Sequence, residues 1–295
     1  MSENDAVVHH HTAYPVPSWK WRAGGYVRLI HPFPVGMNAV AACAFAALAV
    51  RGWPGARAIL LIAAAIIGSQ ATVGVVNDLR DRDLDAIAKP SKPLIAGRVT
   101  VRGAYLLGSL ALLIALVCGA ALSVRSLLFV IGMTAAGLIY DLWLKRTALS
   151  FLPYIFGLPL LPLWAWTCVR DAPPRLWLTY PLGILIGFGL HLANALPDAG
   201  RDAAGGVRGV VQVVGTRAAL LLCIASFAVT ILAVAALTYS QWGASVVVLI
   251  AGAVVLLLVA AVGAALRPTT ETLQRNWGLL ICCAIVVAVA WLRAL

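Results

Sequence analysis

The chain has 295 residues, of which 62% are hydrophobic and only 11% are charged. A soluble domain is about half apolar and about a quarter charged, so this chain cannot cover its apolar surface without lipid. Its formal net charge is +11, but the basic residues lie in short segments between apolar runs and form no patch suited to a phosphate backbone. The composition therefore indicates a membrane protein and excludes nucleic acid as a partner.

Nine apolar segments are candidate membrane spans, since a helix needs about 20 apolar residues to cross a bilayer. They are residues 28–50, 57–77, 103–122, 126–142, 150–169, 177–196, 217–238, 244–266 and 276–294. The alternating pattern of a β-barrel is absent from the sequence, so helices must satisfy the backbone. We therefore expect an all-α, polytopic membrane protein, with a flexible tail over residues 1–24 and a single transmembrane domain over residues 25–295.

The basic residues also predict an orientation. Most of the 22 Lys and Arg residues lie in the N-terminal tail and in the segments that follow every second span. Because cytoplasmic loops are enriched in Lys and Arg, we expect a cytoplasmic N-terminus and a C-terminus on the opposite side of the cell membrane. The two long loops, 78–102 and 197–216, then both lie on the cytoplasmic side.

Both long loops begin with a related polar sequence. Residues 77–85 read NDLRDRDLD and residues 194–202 read NALPDAGRD, so that both fit N-x-x-x-D-x-x-x-D. The aligned pairs are Asn77 with Asn194, Asp81 with Asp198, and Asp85 with Asp202. Of the 11 Asp and Glu residues in the chain, six lie in these two stretches, more than a solvated loop requires. The shared pattern predicts an internal duplication, with two half-units facing each other.

The spacing of the motifs favours a cation site. Residues four apart lie on one stripe of a helix, and a row of like charges destabilises a helix unless a cation sits among them. Oxygen ligands without His or Cys favour magnesium, which completes its shell with water and phosphate oxygens. We therefore predict that Mg²⁺ and a diphosphate bind here. The predicted metal ligands are Asn77, Asp81, Asp85, Asp198 and Asp202.

Further polar residues accompany the carboxylates. The first loop continues as KPSKPLIAGR over residues 89–98, and a third cytoplasmic segment reads YDLWLKR over residues 140–146. Ammonium and guanidinium groups neutralise phosphate oxygens that no metal holds. The residues predicted to bind the substrate are Asn77, Lys92, Arg98, Tyr140, Lys145, Arg146 and Asn194. His191, one helical turn before the second motif, is interpreted as a buried, hydrogen-bonded residue.

In their order and placement these motifs resemble the UbiA-type intramembrane prenyltransferase superfamily. The resemblance rests on residues 77–85, 89–94, 140–146 and 198–202, and it covers about residues 25–295. It implies nine helices around a central cavity and two aspartate motifs that bind magnesium and prenyl diphosphate under a cytoplasmic cap. It further implies transfer of the prenyl chain to an acceptor. The chain lacks the Arg-Thr pair that follows the first motif in the haem-farnesylating branch, which disfavours haem as the acceptor.

The hypothesis is therefore an enzyme that transfers a prenyl group from a prenyl diphosphate to an aromatic or other lipid-soluble acceptor. Positive charge beside the leaving diphosphate favours cleavage of the allylic C–O bond. The predicted catalytic residues are Asp78, Asp81 and Asp202. Either Asp78 or Asp202 is expected to take the acceptor's proton. A membrane terpene cyclase, which captures the carbocation internally, is an alternative. A transporter is less favoured, because transporter sites usually lie at the bilayer midplane and the centres of these spans hold no Asp or Glu.

Overall fold

The computed structural model describes residues 19–295, and that part of the chain contains helices and no strand. The α-helices are α1 (Trp19–Leu29), α2 (Pro32–Val50), α3 (Ala56–Arg80), α4 (Arg82–Ala88), α5 (Val101–Leu122), α6 (Val124–Ile139), α7 (Leu152–Gly157), α8 (Leu160–Thr167), α9 (Thr179–Ala195), α10 (Ala199–Ala204), α11 (Val210–Val214), α12 (Thr216–Thr238), α13 (Ala244–Leu266) and α14 (Thr270–Arg293). The predicted all-α fold is confirmed. Residues 1–18 of the predicted tail lie outside the described residues, and residues 19–24 form the start of α1.

Eight helical segments of the described chain are long and apolar enough to cross a membrane. They contain α2, α3, α5, α6, α9, α12, α13 and α14. The segment predicted at 126–142 is longer than expected, because a π-helical turn, Tyr140–Leu144, extends α6. Large apolar side chains such as Leu106, Leu232 and Val248 are exposed on these helices, as expected where lipid tails replace water. The chain is therefore an integral membrane protein.

The remaining predicted span, residues 150–169, is a broken helix. It forms α7 and α8, which are separated at Pro159, a residue that has no N–H to donate to the preceding turn. Two glycines of α9 allow close approach to this segment. A Cβ on Gly183 would lie 2.7 Å from the Cβ of Pro159, and one on Gly187 would lie 2.7 Å from the carbonyl oxygen of Tyr154. The broken helix therefore packs closely against α9.

Hydrogen bonds between helix termini establish which helix ends lie together. Arg57, at the start of α3, donates to the carbonyl of Ala121 at the end of α5 (3.2 Å). Arg170, after α8, donates to the carbonyl of Ala49 near the end of α2 (3.0 Å). These contacts define the far end of the bundle. The ends of α3, α6 and α9, which carry the polar motifs, lie at the other end, called here the motif end.

Candidate active site

The first motif spans the junction between α3 and α4. Asp81 separates the two helices, so the predicted single helix is interrupted there. The spacing of a helix is nevertheless kept, because the backbone N–H of Asp81 donates to the carbonyl of Asn77 (2.9 Å) and that of Asp85 donates to the carbonyl of Asp81 (2.8 Å). The three motif residues are therefore joined by successive helical hydrogen bonds and remain on one side of the chain.

Lys92 joins two carboxylates of this motif. Its Nζ lies 2.8 Å from Oδ1 of Asp78 and 2.5 Å from Oδ2 of Asp85. The two aspartates are only 3% and 6% exposed. Burial acts to lower the pKa of Lys92, but the hydrogen bonds and negative charges of Asp78 and Asp85 outweigh it and raise the pKa above its ordinary value. Lys92 therefore stays charged and offsets part of the negative charge of a buried acidic pair.

Asp81 is neutralised by residues from the segment after α6. Nζ of Lys145 lies 2.5 Å from Oδ2 of Asp81, and Nη2 of Arg146 donates to Oδ1 (3.1 Å). Burial acts to raise the pKa of Asp81, but these hydrogen bonds and positive charges lower it overall. The π-helical turn before Lys145 is closed by a hydrogen bond from the backbone N–H of Lys145 to the carbonyl of Tyr140 (2.8 Å). Such widened turns are frequent at functional sites, and this one leads directly into the basic pair.

Asp141, in the same π-helical turn, belongs to the cluster although the sequence analysis did not select it. It is 6% exposed, and its Oδ1 accepts a hydrogen bond from Nδ2 of Asn77 (2.7 Å). Nζ of Lys145 lies 3.9 Å from the same oxygen. Oδ2 of Asp141 has no hydrogen-bond partner among residues 19–295. The available sequence signal was an acidic residue directly after Tyr140 in a segment otherwise rich in cations.

His31 is a second residue that the sequence analysis passed over. It links α1 to α2 in a left-handed backbone conformation (φ 53°, ψ 64°), which costs energy for a residue other than glycine. Its Nε2 lies 3.2 Å from Oδ1 of Asp78. The ring lies against Gly74, where a Cβ would be 2.8 Å from Cδ2 of His31. The absence of a side chain at Gly74 therefore gives the imidazole access to Asp78.

The second motif begins in α9, passes through a 3-10 turn, Leu196–Asp198, and ends in α10. Pro197 lies in this turn, where its ring is compatible with the interruption of the helix. Asp198 is paired with Arg201 of the same motif. Asp202 is half-buried and has no ion pair or hydrogen bond to any other side chain of the described chain. The second motif therefore carries one paired and one unpaired carboxylate.

Aromatic residues connect the two motifs. Tyr154 of α7 packs edge-to-face against Tyr140, with ring centroids 5.5 Å apart, and its hydroxyl accepts a hydrogen bond from Nδ2 of Asn194 (3.3 Å). Asp141, next to Tyr140 in the π-helical turn, accepts the hydrogen bond from Asn77 of the first motif. The Tyr140–Tyr154 pair therefore lies between the two motifs.

Two other predicted positions have different surroundings. His191 is 2% exposed and hydrogen-bonds Oγ of Ser150 through Nε2 (2.9 Å), which confirms its interpretation as a buried, hydrogen-bonded residue. Arg98 lies apart from the carboxylates, because its guanidinium stacks over the ring of Trp21 (5.1 Å) and its Cβ packs against Gly25. The structure therefore groups Lys92, Lys145 and Arg146 with the aspartates and places Arg98 against α1.

An apolar cavity lies within the helix bundle. It has a volume of about 130 Å³ and is lined by α2, α9, α12, α14 and the break between α7 and α8. Leu190, one of its lining residues, lies one helical turn before Asn194. None of the charged site residues lines the cavity, and Leu190 is the lining residue of α9 that is nearest to the second motif.

The fold is shared with proteins of known structure. Residues 38–283 match the model of the UbiA prenyltransferase family. A structure of digeranylgeranylglyceryl phosphate synthase is similar at a TM-score of 0.74 and 17% identity, covering 92% of this chain and 97% of that one. A UbiA homolog from Aeropyrum pernix K1, solved in the apo form, gives 0.70 and 20%, covering 85% and 95%.

A UbiA homolog from Archaeoglobus fulgidus, solved with GPP and Mg²⁺ bound, gives a TM-score of 0.70 and 18% identity, covering 92% of this chain and 100% of that one. No curated protein matches the chain by sequence. The family match extends over most of the chain and includes both aspartate motifs. The chain belongs to the UbiA prenyltransferase family.

Proposed function

We propose that this prenyltransferase moves a prenyl group from a prenyl diphosphate to an aromatic or other lipid-soluble acceptor in a magnesium-dependent reaction. The observation that carries the proposal is the cluster of cation-paired carboxylates at the motif end, in a bundle that also holds an apolar cavity whose lining reaches Leu190, one turn of α9 before Asn194. A prenyl diphosphate has the same division, with a charged head and an apolar tail. The head fits among Lys92, Lys145, Arg146 and the aspartates, and the tail fits the cavity.

The residues of the cluster fit magnesium. Within residues 19–295, no three His, Cys, Asp or Glu side chains form a preassembled metal site, but Mg²⁺ needs only one or two protein carboxylates when phosphate oxygens supply the rest. Because the amide nitrogen of Asn77 donates to Asp141, the amide oxygen remains available to a cation. The ligands we propose are Asn77, Asp81, Asp85, Asp198 and Asp202. Bound magnesium would neutralise charge on the leaving diphosphate.

The basic side chains have a second role in this proposal. Lys145 and Arg146 share Asp81, and both have donors to spare for phosphate oxygens. Lys92 contributes a further positive charge, and the hydroxyl of Tyr140 is a neutral donor at the same place. Charge that builds up on the bridging oxygen as the allylic C–O bond breaks is stabilised by such preorganised groups. Asn194, held by Tyr154, fixes the opposite side of the site.

Asp202 is better placed than Asp78 to take the acceptor's proton. Asp78 is 3% exposed and its Oδ1 already contacts His31 and Lys92, so its carboxylate is less accessible to an acceptor. Asp202 is more accessible and lacks such partners. The carbon–carbon or carbon–oxygen bond forms on the allylic cation, and the displaced proton passes to the carboxylate.

We also propose an orientation of the protein in the membrane and a route by which its substrates reach the site. The excess of Lys and Arg at the motif end supports a cytoplasmic location for that end, with the C-terminus across the membrane. Residues 25–295 act as one transmembrane domain. The acceptor and the prenyl tail both reach the site from the lipid phase, while the helices keep bulk water away from the allylic cation.

The test uses purified protein in lipid nanodiscs with Mg²⁺, labelled prenyl diphosphates and a panel of aromatic and hydroxylated lipid acceptors. We expect label in the acceptor, and a loss of roughly 100-fold or more in Asp81→Asn and Asp202→Asn. Asp83→Asn is the matched control, because Asp83 lies in the same motif but its side chain is 97% exposed. Equal activity in all three variants would refute the site. Cyclised product formed without acceptor would instead identify a cyclase.

A further inference from the structure

Two side-chain amides within the membrane spans bond to each other across two helices. Nδ2 of Asn38 in α2 donates to Oε1 of Gln70 in α3 (3.2 Å). Other polar side chains of the spans are satisfied by their own helix, since Thr72, Thr134 and Thr230 each donate to the carbonyl four residues earlier (2.8, 2.7 and 2.8 Å). Polar side chains inside a membrane protein are costly and commonly mark a functional site. The Asn38–Gln70 amide pair is therefore a candidate site.

The amide pair keeps hydrogen-bonding groups that the protein does not use. Each amide carries one oxygen, which accepts hydrogen bonds, and two N–H donors. Within residues 19–295, neither Asn38 nor Gln70 has a side-chain hydrogen bond besides the one that joins them, and both residues are half-buried. An amide oxygen and N–H donors stay available whichever way the two amides are turned. The pair therefore suits a group that both donates and accepts, as a hydroxyl does.

Asn38 brings this pair to the wall of the apolar cavity. It lines the cavity together with Phe45, seven residues later on the same face of α2. Two hydroxyl side chains of the lining are already engaged, because Thr179 accepts from the indole of Trp291 and Thr230 donates to its own helix. The lining that the structure describes contains no charged residue. The amide of Asn38 is thus an uncharged polar group in an apolar wall.

The amide pair lies a short distance along the bundle from the first motif. Gln70 precedes Asn77 by seven residues in α3, which is nearly two full turns, so the two side chains leave the helix on almost the same face. Their separation along the helix axis is roughly 10 Å. In the facing segment, Asn38 follows His31 by seven residues, and the ring of His31 contacts Asp78. This interval can hold a small ring between the amide pair and the proposed diphosphate site.

We infer that Asn38 and Gln70 bind the prenyl acceptor through a hydroxyl group, and that this acceptor is a neutral apolar molecule such as a phenol or an alcohol. The inference rests on the proposed function, because it takes the ligand of the amide pair to be the molecule that receives the prenyl group. A carboxylate is disfavoured, since the lining holds no cation to pair with it. A methyl ether is disfavoured because it leaves the amide oxygen without a donor. The cavity is partly open, so the apolar remainder of the acceptor and the prenyl tail can continue into lipid.

The test compares three fluorinated probes with the same aromatic body, namely a phenol, its methyl ether and the matching benzoate. Fluorine NMR measures the binding of each probe to purified protein in nanodiscs of neutral lipid, with empty nanodiscs subtracted. We expect the wild type to bind the phenol roughly ten-fold more tightly than either of the others. Asn38→Leu should abolish that preference. Thr230→Val is the matched control, because it removes a hydroxyl of the cavity that its own helix satisfies, and it should keep the preference.

Kinetics separate binding of the acceptor from a role that only joins α2 to α3. For hydroxylated acceptors that take up label, Asn38→Leu should raise KM for the acceptor by roughly ten-fold and leave KM for the prenyl diphosphate unchanged. A pair that only joins the helices would lower Tm in Asn38→Leu without changing the preference for the phenol, which would overturn the inference. If Asn38→Leu does not fold, Gln70→Met decides, because it leaves the amide of Asn38 without its partner and should weaken the preference; an unchanged preference there would also overturn the inference.

The remaining outcomes distinguish this inference from the proposed function. Equal binding of the phenol and the ether by the wild type would overturn the inference and leave prenyl transfer intact. Efficient transfer to acceptors that lack a hydroxyl, unaffected by Asn38→Leu, would do the same. A preference for the phenol that depends on Asn38, in a protein that transfers no label, would support the amide site and contradict the proposed function.

Discussion

The side-chain amide of Asn77 donates a hydrogen bond to the buried carboxylate of Asp141, with 2.7 Å between Nδ2 and Oδ1. The two residues are distant in sequence and come from α3 and from the π-helical turn after α6. Because the carboxylate of Asp141 accepts a hydrogen bond from the amide nitrogen of Asn77, the amide oxygen is the atom left to face a cation. Contacts of this kind orient metal ligands in many proteins.

We expect Asp141→Leu to weaken Mg²⁺ binding by roughly 10–100-fold, the usual cost of losing a residue that orients a ligand. Asp141→Asn keeps an acceptor oxygen for Asn77 and should recover part of that loss. The measurements are the Mg²⁺ concentration at half-maximal activity and direct Mn²⁺ binding by electron paramagnetic resonance. Asp83→Asn, on the exposed side of the first motif, should leave both unchanged. Unaltered Mn²⁺ affinity in Asp141→Leu would contradict this role.

Lys92 is expected to stabilise the fold in the absence of metal. Its side chain is 20% exposed and contacts two aspartates whose side chains are 2% and 8% exposed. Lys92→Met leaves both carboxylates without their common cation, so we expect a loss of about 3 kcal/mol. The measurement is the Tm of purified protein in detergent with a chelator. Lys92→Arg keeps the charge and should retain most of the stability, whereas an equal Tm for Lys92→Met would exclude this contribution.

The pH dependence of that stabilisation follows from the pKa of Lys92. The pKa is raised above its ordinary value of 10.5 in the folded protein, so the contribution is fully present below that pH and is lost as the pH rises through the raised value. The difference in Tm between wild type and Lys92→Met should therefore be equal at about pH 7 and about pH 9. A difference that already shrinks across this interval would be inconsistent with a lysine held in its charged form.

Two arginines with different surroundings are expected to respond differently to substitution. Arg146 contacts Asp81, whereas Arg98 stacks on Trp21. Arg146→Gln removes a charged donor next to the proposed diphosphate site and should raise KM for the prenyl diphosphate by roughly ten-fold. Arg98→Gln should leave KM nearly unchanged and lower Tm instead. Steady-state kinetics and thermal unfolding on the same preparations compare the two. The reverse pattern would move Arg98 into the site.

Close packing between α3 and α5 is expected to depend on Gly68. A Cβ there would lie 2.5 Å from the carbonyl oxygen of Ala111 and 2.9 Å from the backbone nitrogen of Ala115. Because backbone atoms cannot turn aside, Gly68→Ala should destabilise the protein by about 1–3 kcal/mol.

Gly252→Ala in α13 is the matched control for that substitution, since no atom lies within 4 Å of the added Cβ. Alanine is favoured over glycine inside a helix by roughly 1 kcal/mol, so Gly252→Ala should be neutral or stabilising. Thermal unfolding in detergent measures both variants. Equal Tm values would mean that α3 and α5 can separate without cost.

The sequence determined the class of the protein and the identity of most candidate site residues. Long apolar runs require helices in a bilayer, because only a helix satisfies its own backbone there. The two aspartate motifs are local in sequence, so their spacing could be interpreted directly. Local patterns did not predict the break at Pro159, because hydropathy does not register a missing N–H inside an apolar run.

Tertiary structure decided which charged groups meet. The pairing of Lys145 with Asp81, and of Asn77 with Asp141, joins helices whose relative rotation no sequence period encodes. The left-handed conformation of His31 and the hydrogen bond from Trp291 to Thr179 likewise depend on neighbours far along the chain. Helix formation and membrane burial follow from short-range patterns, whereas side-chain contacts across a bundle are set by how the helices pack.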